Sequence, residues 1–186
     1  MAEPAVVTPS LFIVTGERGA GKTTFCRYLV ELARGTGWQV AGILSLPVFE
    51  HHQKIAIAAQ DLRTGQQRWL AVRREVGQPV AGSATPGWRF DPVALAWGNR
   101  VLQTACPCDL LIVDELGLLE FERDEGWQAG LSAIDSDNYR WGLVVIRPEL
   151  LAVSQRRWPI AKVIPITKNV DLHPMANRLA QQLWLD

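Results

Sequence analysis

Apolar positions along the chain fall into runs of two kinds, and the two kinds alternate. Leu11-Phe12-Ile13-Val14-Thr15 is continuous and of strand length, whereas Phe25, Cys26, Leu29, Val30, Leu32 and Ala33 recur at helical spacing until Gly35 and Gly37 stop them. Trp38 to Leu46 reads as a second strand, ended by Pro47. Lys54–Ala59 and Gln67–Val72 flank a turn-like Asp61-Leu62-Arg63-Thr64-Gly65, which predicts a β-hairpin over 48–72 attached to the side of the sheet. Asp91-Pro92 opens a helix to about Ala105, with Asp as N-cap and Pro at the first helical position. Asp109–Asp114 then reads as a strand buried on both faces. Phe121–Asp135 reads as a helix weakened by Gly126 and Gly130, and Trp141–Ile146 as another core strand. A short helix over Leu150–Val153, a last strand over Ala161–Thr167 and a closing helix over Pro174–Leu185 complete the pattern. Strands alternating with helices predict an α/β fold, a mostly parallel sheet covered by helices on both faces.

Two segments break the alternation. Residues 1–10, with an acid and two prolines, read as a loose lead-in unlike a secretory leader. Residues 73–91 hold Gly77, Pro79, Gly82, Pro86 and Gly87 without a clear period, which predicts a mobile loop. Its Arg73, Arg74 and Arg89 are either solvated charges or, with Trp88, parts of a lid bringing an arginine to a phosphate or a ring to a base.

Composition narrows the class. The 186 residues predict a single domain, 1–186, and 19 Lys plus Arg balance 19 Asp plus Glu. No global field therefore draws the chain to nucleic acid or to an anionic membrane. No run approaches the roughly 18 apolar residues of a membrane helix. Three cysteines do not make a disulfide framework and predict a reducing, cytoplasmic setting. Cys106-Pro107-Cys108 is too close a pair for the usual zinc spacing, and His51-His52 suits a solvated turn better than a metal site.

The chemistry begins at Gly16-Glu17-Arg18-Gly19-Ala20-Gly21-Lys22-Thr23, followed by Thr24, which fits G-x-x-x-x-G-K-[ST] at every fixed position. Glycines let the loop backbone close its N–H groups around phosphate oxygens. Lys22 suits the β- and γ-phosphates, and Thr23 supplies a hard oxygen for Mg²⁺. The strand before and the helix after place a helix N-terminus under the anion. Leu111-Ile112-Val113-Asp114 would deliver a carboxylate to the carboxyl end of the sheet, for Mg²⁺ through water. Glu115, directly after it, can polarise the water that attacks the γ-phosphate. Arg147, just past a core strand, is either a charge stabiliser or a surface arginine.

Taken together, Gly16–Thr24 and Val113-Asp114-Glu115-Leu116-Gly117-Leu118-Leu119-Glu120 resemble the small THEP1-type nucleoside-triphosphatases. The resemblance extends to the Gly42-Ile43 strand and to Thr167-Lys168-Asn169 before the last helix. It implies a RecA-like P-loop NTPase fold and slow, Mg²⁺-dependent hydrolysis of ATP, GTP and other nucleoside triphosphates. Lys22 and Thr23 would hold phosphates and metal, Asp114 would support the metal, Glu115 would be the base, and Glu120 would stand behind the site. Asn169 corresponds to a position near the base or ribose. Relatives often carry a polar or acidic residue after the Gly42-Ile43 strand, where this chain has Ser45-Leu46-Pro47.

The sequence predicts a phosphohydrolase. The competing readings are a nucleotide-switched module that contacts a protein partner, or a small-molecule kinase whose lid is the 73–91 loop. Lys168-Asn169-Val170-Asp171 has the letters of a guanine-reading motif in the wrong order, so guanine selectivity is not expected.

Overall fold

The structure is a computed structural model describing residues 9–74, 84–85 and 87–184. Five parallel strands form the centre: β1 (Ser10–Thr15), β2 (Val40–Glu50), β7 (Cys108–Leu116), β8 (Tyr139–Ile146) and β9 (Lys162–Pro165). Their order is β2-β7-β8-β1-β9. The apolar strands are buried from two sides. Along β1, Phe12 and Val14 pack with Phe25, Leu29 and Val30, while Ile13 joins Trp97, Leu102 and Ile134 on the opposite face. The helices α1 (Lys22–Gly35) and α6 (Leu172–Trp184) cover the first face. The second carries α2 (Pro92–Gln103), α3 (Leu118–Glu122), α4 (Gln128–Asp135) and α5 (Leu151–Arg157). Asp91 caps α2 as expected, its carboxylate accepting from the Val93 N–H at 2.8 Å.

Beyond β2 the sheet turns antiparallel, through β3 (Gln53–Asp61), β4 (Gln67–Arg73), β6 (Trp88–Phe90) and β5 (Ala84–Thr85). This extension is larger than the sequence suggested, because β2 does not stop at Pro47 but runs on to Glu50. The Leu62 N–H donates to the Gly42 carbonyl at 3.0 Å, so alternate residues from Gly42 turn their backbone groups toward β3. Pro47 falls on the other parity. Its nitrogen faces the side where pairing with β7 has already ended at Ile43, and no ladder bond is lost. His51 and His52 then occupy the left-handed region, at φ 45° and 63°, as a two-residue hairpin turn requires.

The segment expected as a loop over 73–91 is partly strand, since β5 and β6 lie within it and Trp88 is buried. Residues 75–83 and 86, like 1–8 of the lead-in, lie outside the described residues. The helix expected over 121–135 is two helices. Glu120 accepts from the Gly117 and Trp127 N–H groups, both at 2.7 Å, and so draws the chain between α3 and α4 around its carboxylate. Gly126 sits at φ 71°, where a Cβ would lie 2.0 Å from Glu120 Oε1. The last strand is shorter than expected, and the closing helix starts at Leu172, two residues earlier.

Gly42 carries the closest backbone contact in the sheet centre. At φ 104° its Cβ would meet the Ile112 carbonyl oxygen at 1.9 Å. Gly42→Ala is expected to cost about 2–3 kcal/mol or more, read from urea unfolding midpoints, because backbone rather than a flexible side chain must yield.

Candidate active site

Strand register brings the candidate residues to one edge. Thr15 pairs with Ile146, and Ile146 with Leu116, so the chain leaves β1 as Gly16 and β8 as Arg147 beside the end of β7. In such a sheet, ligands bind beyond the carboxyl ends of the strands. The loop after β1 is shaped by contact as well as by its glycines. A Cβ on Gly16 would lie 2.1 Å from the Ile166 carbonyl oxygen, and one on Gly21 would lie 2.5 Å from Leu172. The connection from β9 to α6 therefore runs against the loop, and Asn169 lies exposed upon it at φ 69°. Ala20 is buried and closes the turn by donating to the Glu17 carbonyl at 3.1 Å; Glu17 and Gly19 are exposed. Lys22 Nζ donates to the carbonyls of Gly16 (2.6 Å) and Glu17 (3.1 Å), spanning the loop. Thr23 and Thr24 lie half-buried in the first turn of α1.

Asp114 is almost wholly buried, 1% exposed. Its carboxylate accepts from the Thr23 hydroxyl and, at 3.1 Å, from the Ser45 N–H; the Ser45 hydroxyl donates to its backbone carbonyl. Burial, with Glu115 alongside, pushes this carboxyl up to about 7 against the pull of Thr23, Ser45 and Lys22. The peptide to Glu115 is cis. Glu115 Oε1 accepts from Arg147 Nε at 2.6 Å, so the arginine considered as a charge stabiliser is paired with the carboxylate considered as the base.

Thr23 and Asp114 fit a small divalent cation. They are adjacent hard oxygens, and Asp114 is a buried acid whose ionised form a cation would favour. Among the described residues no group of three or more His, Cys, Asp or Glu forms a metal cage. A cation here would take its remaining ligands from phosphate and water, as Mg²⁺ does at phosphate sites.

Two site residues, Ser45 and Lys54, carry no signal in the sequence motifs. Ser45 steadies Asp114 from β2, within the Ser45-Leu46-Pro47 stretch where the chain departs from the pattern of the family it resembles. Lys54, on β3, lies with Nζ 5.0 Å from the centre of the Trp88 ring, and Arg18 approaches the same ring at 5.8 Å. Burial pulls the Lys54 ammonium below its ordinary value, opposed by Glu115 and Asp114. No spacing rule reveals Lys54, because its approach to the acidic pair depends on how the antiparallel extension folds beside β2. Trp88 is buried, and its ring lies beneath both cations. Arg73 and Arg89 are exposed, and Arg74 Nη1 donates to the Thr85 carbonyl at 3.2 Å.

A family model described as NTPase matches residues 11–169. The chain belongs to the NTPase family. Its THEP1-type relatives include the nucleoside-triphosphatase THEP1 of Korarchaeum cryptofilum, 32% identical over 111 residues, 59% of this chain and 55% of that protein. THEP1 of Thermofilum pendens is 28% identical over 127 residues, 68% of each chain. The matched part thus spans 55% of the first relative's length and 68% of the second's. The fold is shared with the solution structure of a human cancer-related nucleoside triphosphatase, with TM-score 0.73, 19% identity and coverage of 95% and 98%. It is shared also with crystalline THEP1 from Aquifex aeolicus, with TM-score 0.58, 17% identity and coverage of 91% and 98%. No helix among the described residues is long and apolar enough to cross a membrane.

The raised Asp114 carboxyl has a sign that can be tested in the nucleotide-free protein. The folded chain keeps this proton to about pH 7, and the unfolded chain releases it near 3.8. Between those values the unfolded state binds fewer protons, so this group's contribution to stability falls as pH rises. Asp114→Asn is expected to flatten that slope and to raise the unfolding midpoint at pH 8 relative to wild type, measured by urea titration at several pH values.

Proposed function

We propose that this NTPase-family protein hydrolyses nucleoside triphosphates to the diphosphate and phosphate, with Mg²⁺, slowly and with broad base preference. The observation that carries the reading is the buried Asp114 bonded to Thr23 beside Lys22, with Glu115 next in the chain at the same sheet edge. Loop amides and Lys22 hold the phosphates, and Asn169 borders the base or ribose. Thr23 and Asp114 would hold Mg²⁺, which would supply positive charge against the phosphates. Arg147 fixes one oxygen of Glu115, and the other orients a water for in-line attack on the γ-phosphorus. Lys54, steadied on Trp88, faces the charge that spreads over the leaving phosphoryl group. The names of the relatives support hydrolysis. Three cysteines with no disulfide among them support a cytoplasmic setting.

Phosphate release from ATP, GTP, CTP and UTP tests this directly. Glu115→Gln should bind nucleotide as wild type does but lose turnover about a hundredfold or more, the usual weight of a positioned base. Full activity in that variant would remove Glu115 from the mechanism. Lys54→Met should lower kcat about tenfold or more while changing KM little, because its charge is needed chiefly in the transition state.

A further inference from the structure

A cavity of about 340 Å³ opens from the acidic pair into the second face of the sheet. Thr23, Asp114 and Glu115 line it together with Ile57, Leu70, Trp88, Phe90, Leu95 and Trp127. Neither Lys22, the loop glycines nor the Ile166–Leu172 connection contributes to it. Of the phosphate loop and the first turn after it, Arg18 and Thr23 reach the lining, so the cavity adjoins the end of the loop where a terminal phosphate would lie. Hydrolysis does not account for such a space. One attacking water, held by Glu115, needs roughly 10–15 Å³, which leaves most of the space and its apolar wall unused. A larger, shallower cleft of about 720 Å³ along α2 and α4 lies away from the acidic pair and touches none of this chemistry.

Charge is distributed along the cavity in a way that selects an occupant. Arg18, Lys54, Arg147, Glu115 and Glu149 share its lining. Glu120, buried in the wall, already accepts from the N–H groups of Gly117 and Trp127, which tie its two oxygens into the chain. A sugar or a nucleoside monophosphate would leave its polar groups unpaired against Leu70, Phe90 and Leu95. A molecule with an apolar, ring-sized body and one hydroxyl directed to the acidic pair would not.

We infer that this cavity is an acceptor site for a small amphipathic alcohol, and that the protein transfers the γ-phosphoryl group to its hydroxyl in preference to water. The inference rests on the nucleotide site proposed above. The alcohol oxygen forms the new bond to the γ-phosphorus, the bond to the β–γ bridging oxygen breaks, and its electron pair leaves with the nucleoside diphosphate. The hydroxyl proton passes to Glu115. The products are a phosphate monoester and the diphosphate.

The test incubates the full chain and Mg²⁺ with ATP or GTP, with and without tryptophol, phenylethanol or octanol. Phosphorus NMR separates monoester from inorganic phosphate, and thermal unfolding reports binding. At least one alcohol should raise the unfolding temperature and divert product to the monoester. Leu95→Trp and Ile57→Phe, which fill the cavity, should keep phosphate release without alcohol within about twofold of wild type and lose the monoester about tenfold or more. That retained release shows that the variants are folded. Inorganic phosphate with no monoester from any alcohol overturns this inference alone, as does monoester formation that persists in both filled variants. Absence of both products from every reaction overturns the hydrolase reading beneath it.

Discussion

One buried carboxylate ties the working parts together. Asp114 lies two residues before the end of β7, and it is held from the phosphate-loop helix by Thr23 and from β2 by Ser45. An acid with this little exposure is unfavourable when ionised unless hydrogen bonds and cations answer it. Its partners answer it only in part, so the site is built around a group that a metal and a triphosphate would complete. Lys22 turned onto its own loop and Arg147 turned onto Glu115 are local settlements of the same charge imbalance.

The parallel half of the fold was legible because its signals are local. A run such as Leu11–Thr15 with apolar residues on both faces, a glycine loop and a periodic helix are each readable within about ten residues. The acidic strand was legible for the same reason, and the topology of parallel sheets placed it beside the loop. The failures share a different cause. Pro47 reads as a stop because it lacks an N–H, and whether that costs a ladder bond depends on which neighbour ends first. Residues 121–135 read as one helix from their apolar spacing, and the break follows from the Trp127 N–H donating to Glu120, a bond that no periodicity contains.

Candidate site residues divide along the same line. Lys22, Thr23, Asp114 and Glu115 belong to contiguous motifs and could be named from letters alone. Ser45 and Lys54 owe their places to the pairing of β2 with β7 and of β3 with β2, which brings them to the acidic pair from about 60 to 70 positions away. Arg147 was named but its partner was not, since the meeting with Glu115 follows from the register of β7 against β8.

The sheet changes character at β2, and that boundary separates two tasks. On one side, the strand order and the loop contacts with Ile166 and Leu172 leave little room for variation. On the other, β3, β4 and β6 present side chains to the cavity without touching the phosphate loop's glycines. Substitutions in that antiparallel wing can reshape what lies opposite the terminal phosphate while the nucleotide grip stays intact. A lineage could thus exchange one small-molecule preference for another by drift in a few hairpin residues, with the ancestral engine left untouched.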